Sequence, residues 1–218
     1  VGHYAELWAS DHPTLSPPGE FLEGDAPYLI VEHRMPAVWL ALFGVDDVQV
    51  FSDLDDQVSL HVHLATPRQA ALERLALRAD WLKARFPTLQ PAWLALFQSW
   101  LAALPQAYVH MDTEDVACMD MSEEAWAEEL PRVLRMFDEP LAAPAPPAPP
   151  TPSGGLLGSV ARWWRGAPPP AAAEPAPLTG WARYERQFGD GSLERSPPAW
   201  AFLGGNASVR PVPWDGGD

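Results

Sequence analysis

Twelve of the chain's 26 prolines crowd into the 39 residues from Pro140 to Leu178. Proline has no backbone N–H and a fixed φ, so a run such as PLAAPAPPAPPTPSGG supports neither a helix nor a sheet ladder. Its composition predicts an extended linker with polyproline II character. The chain is thereby expected to divide into three parts. Residues 1–139 form an acidic α+β domain. Residues 140–178 form a Pro/Ala-rich disordered linker with a short amphipathic helix at 155–165. Residues 179–218 form a tail whose Trp181, Tyr184, Phe188, Trp200, Phe202 and Trp214 are too aromatic for a free end, so it is expected to dock on the domain or on a partner.

Within 1–139 the apolar spacing changes period several times. His3–Ala9 and the β-branched run Tyr28–Glu32 read as strands, the second as a buried one. Met35–Phe43, with Pro36 near its start and Gly44 after its end, reads as a short helix. Asp47–Phe51 and Val58–Leu64 read as a hairpin. In its second strand Val58, Leu60, Val62 and Leu64 point one way, while Ser59, His61 and His63 point the other. Thr66-Pro67 is expected to cap a helix striped by Leu72, Leu75, Ala79, Leu82 and Phe86 and stopped by Pro87. A second helix over Gln90–Leu104 is nearly uncharged around its circumference and is expected to be deeply buried against the first as an antiparallel pair. AYVHM and VACM, flanking DTED, suggest a second hairpin or a bulged strand. Ser122 is expected to cap a last helix running to about Phe137, with Pro131 kinking or dividing it. The predicted fold class is therefore α+β: a mixed or antiparallel sheet of about five strands packed on a helix pair and a C-terminal helix, followed by the Pro/Ala-rich arm. Trp39, Trp81, Trp93, Trp100 and Trp126 all fall on predicted helices and are expected to pack the core.

The formal charge is −15 and unevenly spread. Residues 1–65 carry 11 acids against Arg34, and residues 105–140 carry ten acids against Arg132 and Arg135. Such a field repels phosphate backbones and anionic lipid, which argues against nucleic acid as a partner and for a protein with a basic face. Cys118 is the only cysteine, which excludes an intrachain disulfide and a thiolate metal cluster and favours a reducing, cytoplasmic setting. No apolar run reaches membrane-spanning length, and no basic region followed by an apolar stretch marks a signal peptide.

Several constellations bear on chemistry. His61 and His63 stand at i and i+2, so on a strand both imidazoles share one face. A metal-dependent hydrolase would need a third ligand from His110, Asp112 or Glu114. Two polar residues on a solvated face is the simpler expectation, and no metal or other cofactor is predicted. The carboxylate groups Asp46/Asp47, Asp53/Asp55/Asp56 and Asp112/Glu114/Asp115/Asp120 match no calcium loop, and DLDDQVSLHVHL lacks the central Gly and closing Glu. As a recognition surface they need only sign and area, and Asp53, Asp55 and Asp56 are the partner-binding candidates. No Gly-x-Ser-x-Gly, phosphate loop or His-Glu-x-x-His is present, so nothing argues for an enzyme. Leu156, Leu157, Val160, Trp163 and Trp164 fall on one face of a short helix, with Arg162 and Arg165 opposite. Such a helix orders only against the protein's own groove, a partner's groove or an anionic membrane surface, so these five residues join the partner-binding candidates, and Leu156–Arg165 is alternatively the candidate anchor of a peripheral membrane protein.

A small acidic α+β domain without a catalytic motif resembles, in general layout, the bacterial toxin-neutralising (immunity) proteins. The resemblance is one of character and assigns no residue a role. It implies a non-enzymatic acidic binding module, an immunity-like or adaptor protein acting in the bacterial cytoplasm.

Overall fold

A computed structural model describes residues 3–14, 28–52, 60–117, 119, 121–141, 178–188, 199–206 and 212–214. The described residues of 1–139 and 179–218 belong to one compact unit, while the predicted linker over 140–178, with its helix at 155–165, lies almost wholly outside the described residues. The fold is α+β. Five antiparallel strands make the sheet: β1 (Tyr4–Ser10), β2 (Tyr28–Glu32), β3 (Val48–Ser52), β4 (Leu60–Pro67) and β5 (Tyr108–Asp112). A two-residue β6 (Gly205–Asn206) extends it, giving the order β3-β4-β5-β1-β2-β6. The helices are α1 (Ala37–Leu40), α2 (Arg68–Arg85), α3 (Pro91–Ala103), α4 (Glu114–Ala117), α5 (Glu123–Leu134), α6 (Gly180–Phe188) and α7 (Trp200–Leu203). No helix among the described residues is long and apolar enough to cross a membrane.

Period-two alternation sorts the strands into two faces. Ala5, Leu7, Ala9, Leu29, Val31, Val62, Leu64, Val109 and Met111 are buried and share one core with Leu75 and Leu82 of α2, Phe97 and Leu101 of α3, and Trp126, Leu130 and Val133 of α5. Trp39 and Trp126 are fully buried, Trp81 nearly so, and Trp93 and Trp100 pack against the core from partly buried positions. Ser122 caps α5 as its sequence predicts, its Oγ accepting from Ala125 N at 3.3 Å, and α5 runs through Pro131 to Leu134 before a 3-10 turn over Arg135–Asp138.

Four local expectations need correction. The VACM segment is not a strand. An Asp112 carboxylate oxygen accepts from Glu114 N at 2.9 Å and closes a turn, and the chain enters α4 with Glu114 and Asp115 in its first turn. Thr66 does not cap α2. The strand continues through Pro67, and Thr66 Oγ1 instead accepts from Arg74 at 2.8 Å. Nor is α3 buried all round: Leu94, Phe97 and Leu101 are buried, whereas Ala92, Ala95, Leu96 and Ser99 face solvent. Apart from Leu96, 39% exposed, the side chains on that surface are small, so it stays uncharged at little cost. Finally, His63 does not stand on a solvated face, being only 2% exposed.

The described tail residues pack on the same core. Tyr184 OH donates to Met35 O at 3.0 Å, and Trp39 Nε1 donates to Leu203 O at 3.0 Å. Arg183 bonds both carboxylate oxygens of Glu129 on α5, at 2.6 and 2.5 Å. Burial works against a charged Glu129, but Arg183 and Arg132 outweigh it and hold that carboxyl below its usual range. Gly180 N bonds the Glu139 carboxylate. At Gly180 a Cβ would stand 2.6 Å from Arg132 O and Met136 N, so only glycine lets α6 start this close to α5.

Candidate functional site

The second face of the sheet carries the polar set. Register places Gln49 of β3 opposite His63 of β4, His63 opposite Asp112 of β5, and Asp112 opposite Glu6 of β1. The next row holds Ala65, His110 and Trp8. The segment that follows β1 folds back over these rows. His12 O takes a hydrogen bond from His110 Nε2 at 2.8 Å, Pro13 O takes one from Gln49 Nε2 at 3.0 Å, and the Asp11 carboxylate takes one from Ala107 N at 3.0 Å. Trp8 stacks on His110 with ring centroids 5.5 Å apart and lies 5.2 Å from the His63 ring.

Hydrogen bonding assigns the tautomers. A carbonyl only accepts, so His110 Nε2 bears the proton and its Nδ1 is bare. His63 Nε2, 2.9 Å from that Nδ1, donates to it. His63 Nδ1 is then a buried lone pair with no hydrogen-bond partner among the described residues. Both rings are neutral. Burial, then the neighbouring His110, pushes the His63 pKa down to about 3. Burial also lowers that of His110, against the hydrogen bond to His12. Toward the start of β4, His61 Nδ1 lies 2.9 Å from Glu114 Oε2. Burial raises the Asp112 and Glu114 pKa values, with the Glu114 amide opposing at Asp112 and the His61 ring opposing at Glu114.

His61 and His63 thus serve different partners, Glu114 and His110, although they share a face. Among the described residues no group of three His, Cys, Asp or Glu is placed to hold a metal ion. A neutral imidazole whose pKa lies near 3 is a weak base at neutral pH, which makes His63 a poor proton acceptor there.

Several carboxylates reach solvent, while several guanidinium groups are spent inside the fold. Leu60 N bonds Glu123 at 2.8 Å and Tyr4 N bonds Asp115 at 3.2 Å, which fixes two acids beside the strand ends. Asp80, Glu128 and Asp115 have side chains 93%, 75% and 57% exposed. The guanidinium groups are employed differently. Arg78 donates to Ala41 O and Phe43 O and lies 4.6 Å over the Phe137 ring. Arg74 bonds Leu42 O, Thr66 and Asp47, Arg68 bonds Ala102 O, and Arg85 lies over Trp81 and Trp181.

Of the residues singled out by sequence, Asp53, Asp55, Asp56, Leu156, Leu157, Val160, Trp163 and Trp164 lie outside the described residues, as does Cys118. Trp8, His12 and Gln49 belong to the polar face and were missed by sequence reasoning. Trp8 could have been found by carrying the strand alternation through β1, whereas His12 and Gln49 join through a loop path that no period encodes. Comparison with known protein families, with curated proteins and with solved structures finds no match.

Proposed function

We propose that the chain is a non-enzymatic acidic protein-binding module, of the toxin-neutralising or adaptor kind, which meets a basic face on a partner protein in the bacterial cytoplasm. The observation that carries this reading is the unequal use of charge. Arg68, Arg74, Arg78, Arg85 and Arg183 spend their guanidinium groups on main-chain oxygens, rings and internal carboxylates, while Asp80, Asp115 and Glu128 reach solvent beside Lys83, His3 and Arg132. The formal charge of −15 leaves the field outside the protein negative overall. The separate engagements of His61 and His63 leave the hydrolase reading without support in the geometry. The anchor reading concerns Leu156–Arg165, outside the described residues, and liposome flotation tests it.

Exposed charge mainly raises association rate and is screened by salt. A partner recovered by affinity capture is expected to be basic on its contacting face. Its association should slow by about tenfold between roughly 20 and 150 mM salt. Replacing Asp53, Asp55 and Asp56 together with Asn should slow it further than any one replacement, because exposed charges act weakly one at a time. A strongly acidic partner, or association indifferent to salt, refutes the reading.

A further inference from the structure

Two buried side-chain acceptors stand side by side on the covered face of the sheet. Gln49 Oε1 and His63 Nδ1 are both buried, and neither has a hydrogen-bond partner among the described residues. Gln49 and His63 are directly paired across β3 and β4, so their side chains leave the same face. Opposed Cβ atoms in such a pair lie about 4.5–5.5 Å apart, so one small molecule can reach both acceptors. The bonds on their far sides fix what each atom is. Gln49 Nε2 donates to Pro13 O at 3.0 Å, and a carbonyl only accepts, so the other amide terminus is the oxygen. His63 Nε2 donates to His110 Nδ1, and His110 Nε2 donates to His12 O, so His63 Nδ1 keeps its lone pair. A buried acceptor left unmet is costly, and nearly all such groups in folded proteins find a donor.

The pair therefore calls for a small molecule with two donor hydrogens. A metal ion fits poorly, because no group of three His, Cys, Asp or Glu among the described residues is placed to complete its shell. Water brings both donors itself, and two polar partners meet the ordinary requirement of a buried water. We propose that a buried water donates one hydrogen to His63 Nδ1 and the other to Gln49 Oε1. It closes a circuit. One arm runs from the water through His63 and His110 to His12 O, and the other through Gln49 to Pro13 O. Every bond in both arms points away from the water, and the arms end on consecutive carbonyls of the segment that covers the sheet. The water is the one member that donates twice, so it sets the direction of the whole ring. It is a structural ligand that pins His12 and Pro13 over β3, β4 and β5, and it acts independently of any partner protein.

Solution NMR on the full chain tests this first without a variant. In long-range nitrogen–proton spectra at neutral pH, His63 should be protonated at Nε2, with Nδ1 shifted upfield of a free imidazole lone pair. In rotating-frame spectra, His63 Hε1, which lies between the two ring nitrogens, should cross-relax with a long-lived water. Gln49→Met keeps the length of the side chain and removes its oxygen. That cross-peak should be lost in the variant, while His110 stays protonated at Nε2. A His63 Nδ1 that carries the proton, or a bare one with no long-lived water beside it, overturns the proposal. So does a water signal that Gln49→Met leaves unchanged, since the bridge needs both acceptors. If Gln49→Met does not fold, the wild-type spectra alone decide.

Discussion

Because the main-chain oxygen of His12 can only accept, a single proton position propagates through His110 to His63 and leaves a bare nitrogen at the end of the chain. The consequence appears in acid. His63 titrates near 6.5 when unfolded and near 3 when folded, so between those values the unfolded chain binds the extra proton. Its contribution to stability is whole above about pH 6.5 and is lost as pH falls toward 3. His110 acts in the same direction, while Asp112 and Glu114, raised by burial, act oppositely and favour the fold at lower pH. A variant separates the two contributions. Urea midpoints of the wild type and His63→Gln, measured across this range, should differ most near neutrality and converge toward pH 3. A constant difference would show that His63 takes up its proton equally readily in the folded and the unfolded chain. The His-x-His spacing was visible in the sequence, and the shared face followed from it. That the face is covered was not visible, because the cover comes from a loop whose path depends on His12, Pro13 and Gln49 finding partners on other strands.

Among elements, α6 is the one whose seat depends on a single atom's absence. Gly180→Ala would press a methyl against Arg132 O and Met136 N, and α6 would have to lift from α5. We expect a loss of about 1–3 kcal/mol in urea unfolding. Tyr184→Phe removes only the bond to Met35 O and should cost about 1–2 kcal/mol, through the carbonyl left unpaired. If Gly180→Ala proves neutral, α6 does not sit this close to α5. Strands β1 to β5 and helices α2, α3 and α5 were legible because each holds one apolar period over several residues. The α4 turn was misread because VACM is as apolar as a strand, and the Asp112–Glu114 turn that starts a helix there depends on only two residues. The seat of α6 lay beyond sequence reasoning, since Gly180 shows its purpose only once α5 stands beside it.

At the scale of the whole chain, the described residues of the last forty and of the first 139 share one core although the Pro/Ala-rich segment separates them in sequence. Cutting at a protease site inserted near residue 160 should leave the two fragments eluting together under native conditions and apart in denaturant. Separation without denaturant would mean that the tail adds little to the core. The candidate interface was legible as charge alone. The sheet order β3-β4-β5-β1-β2-β6 was not legible, because no local pattern specifies it. The same arrangement bears on biosynthesis. Trp39 finds its partner at Leu203, and Phe97 and Trp100 meet Trp214, about 75 residues after Glu139 leaves the ribosome. At about 5–20 residues per second, the nascent domain waits roughly 4–15 s with this surface unsealed. For that interval the emerging chain is a natural client for chaperones that hold exposed aromatic surface, and a stalled or truncated product would leave that surface open.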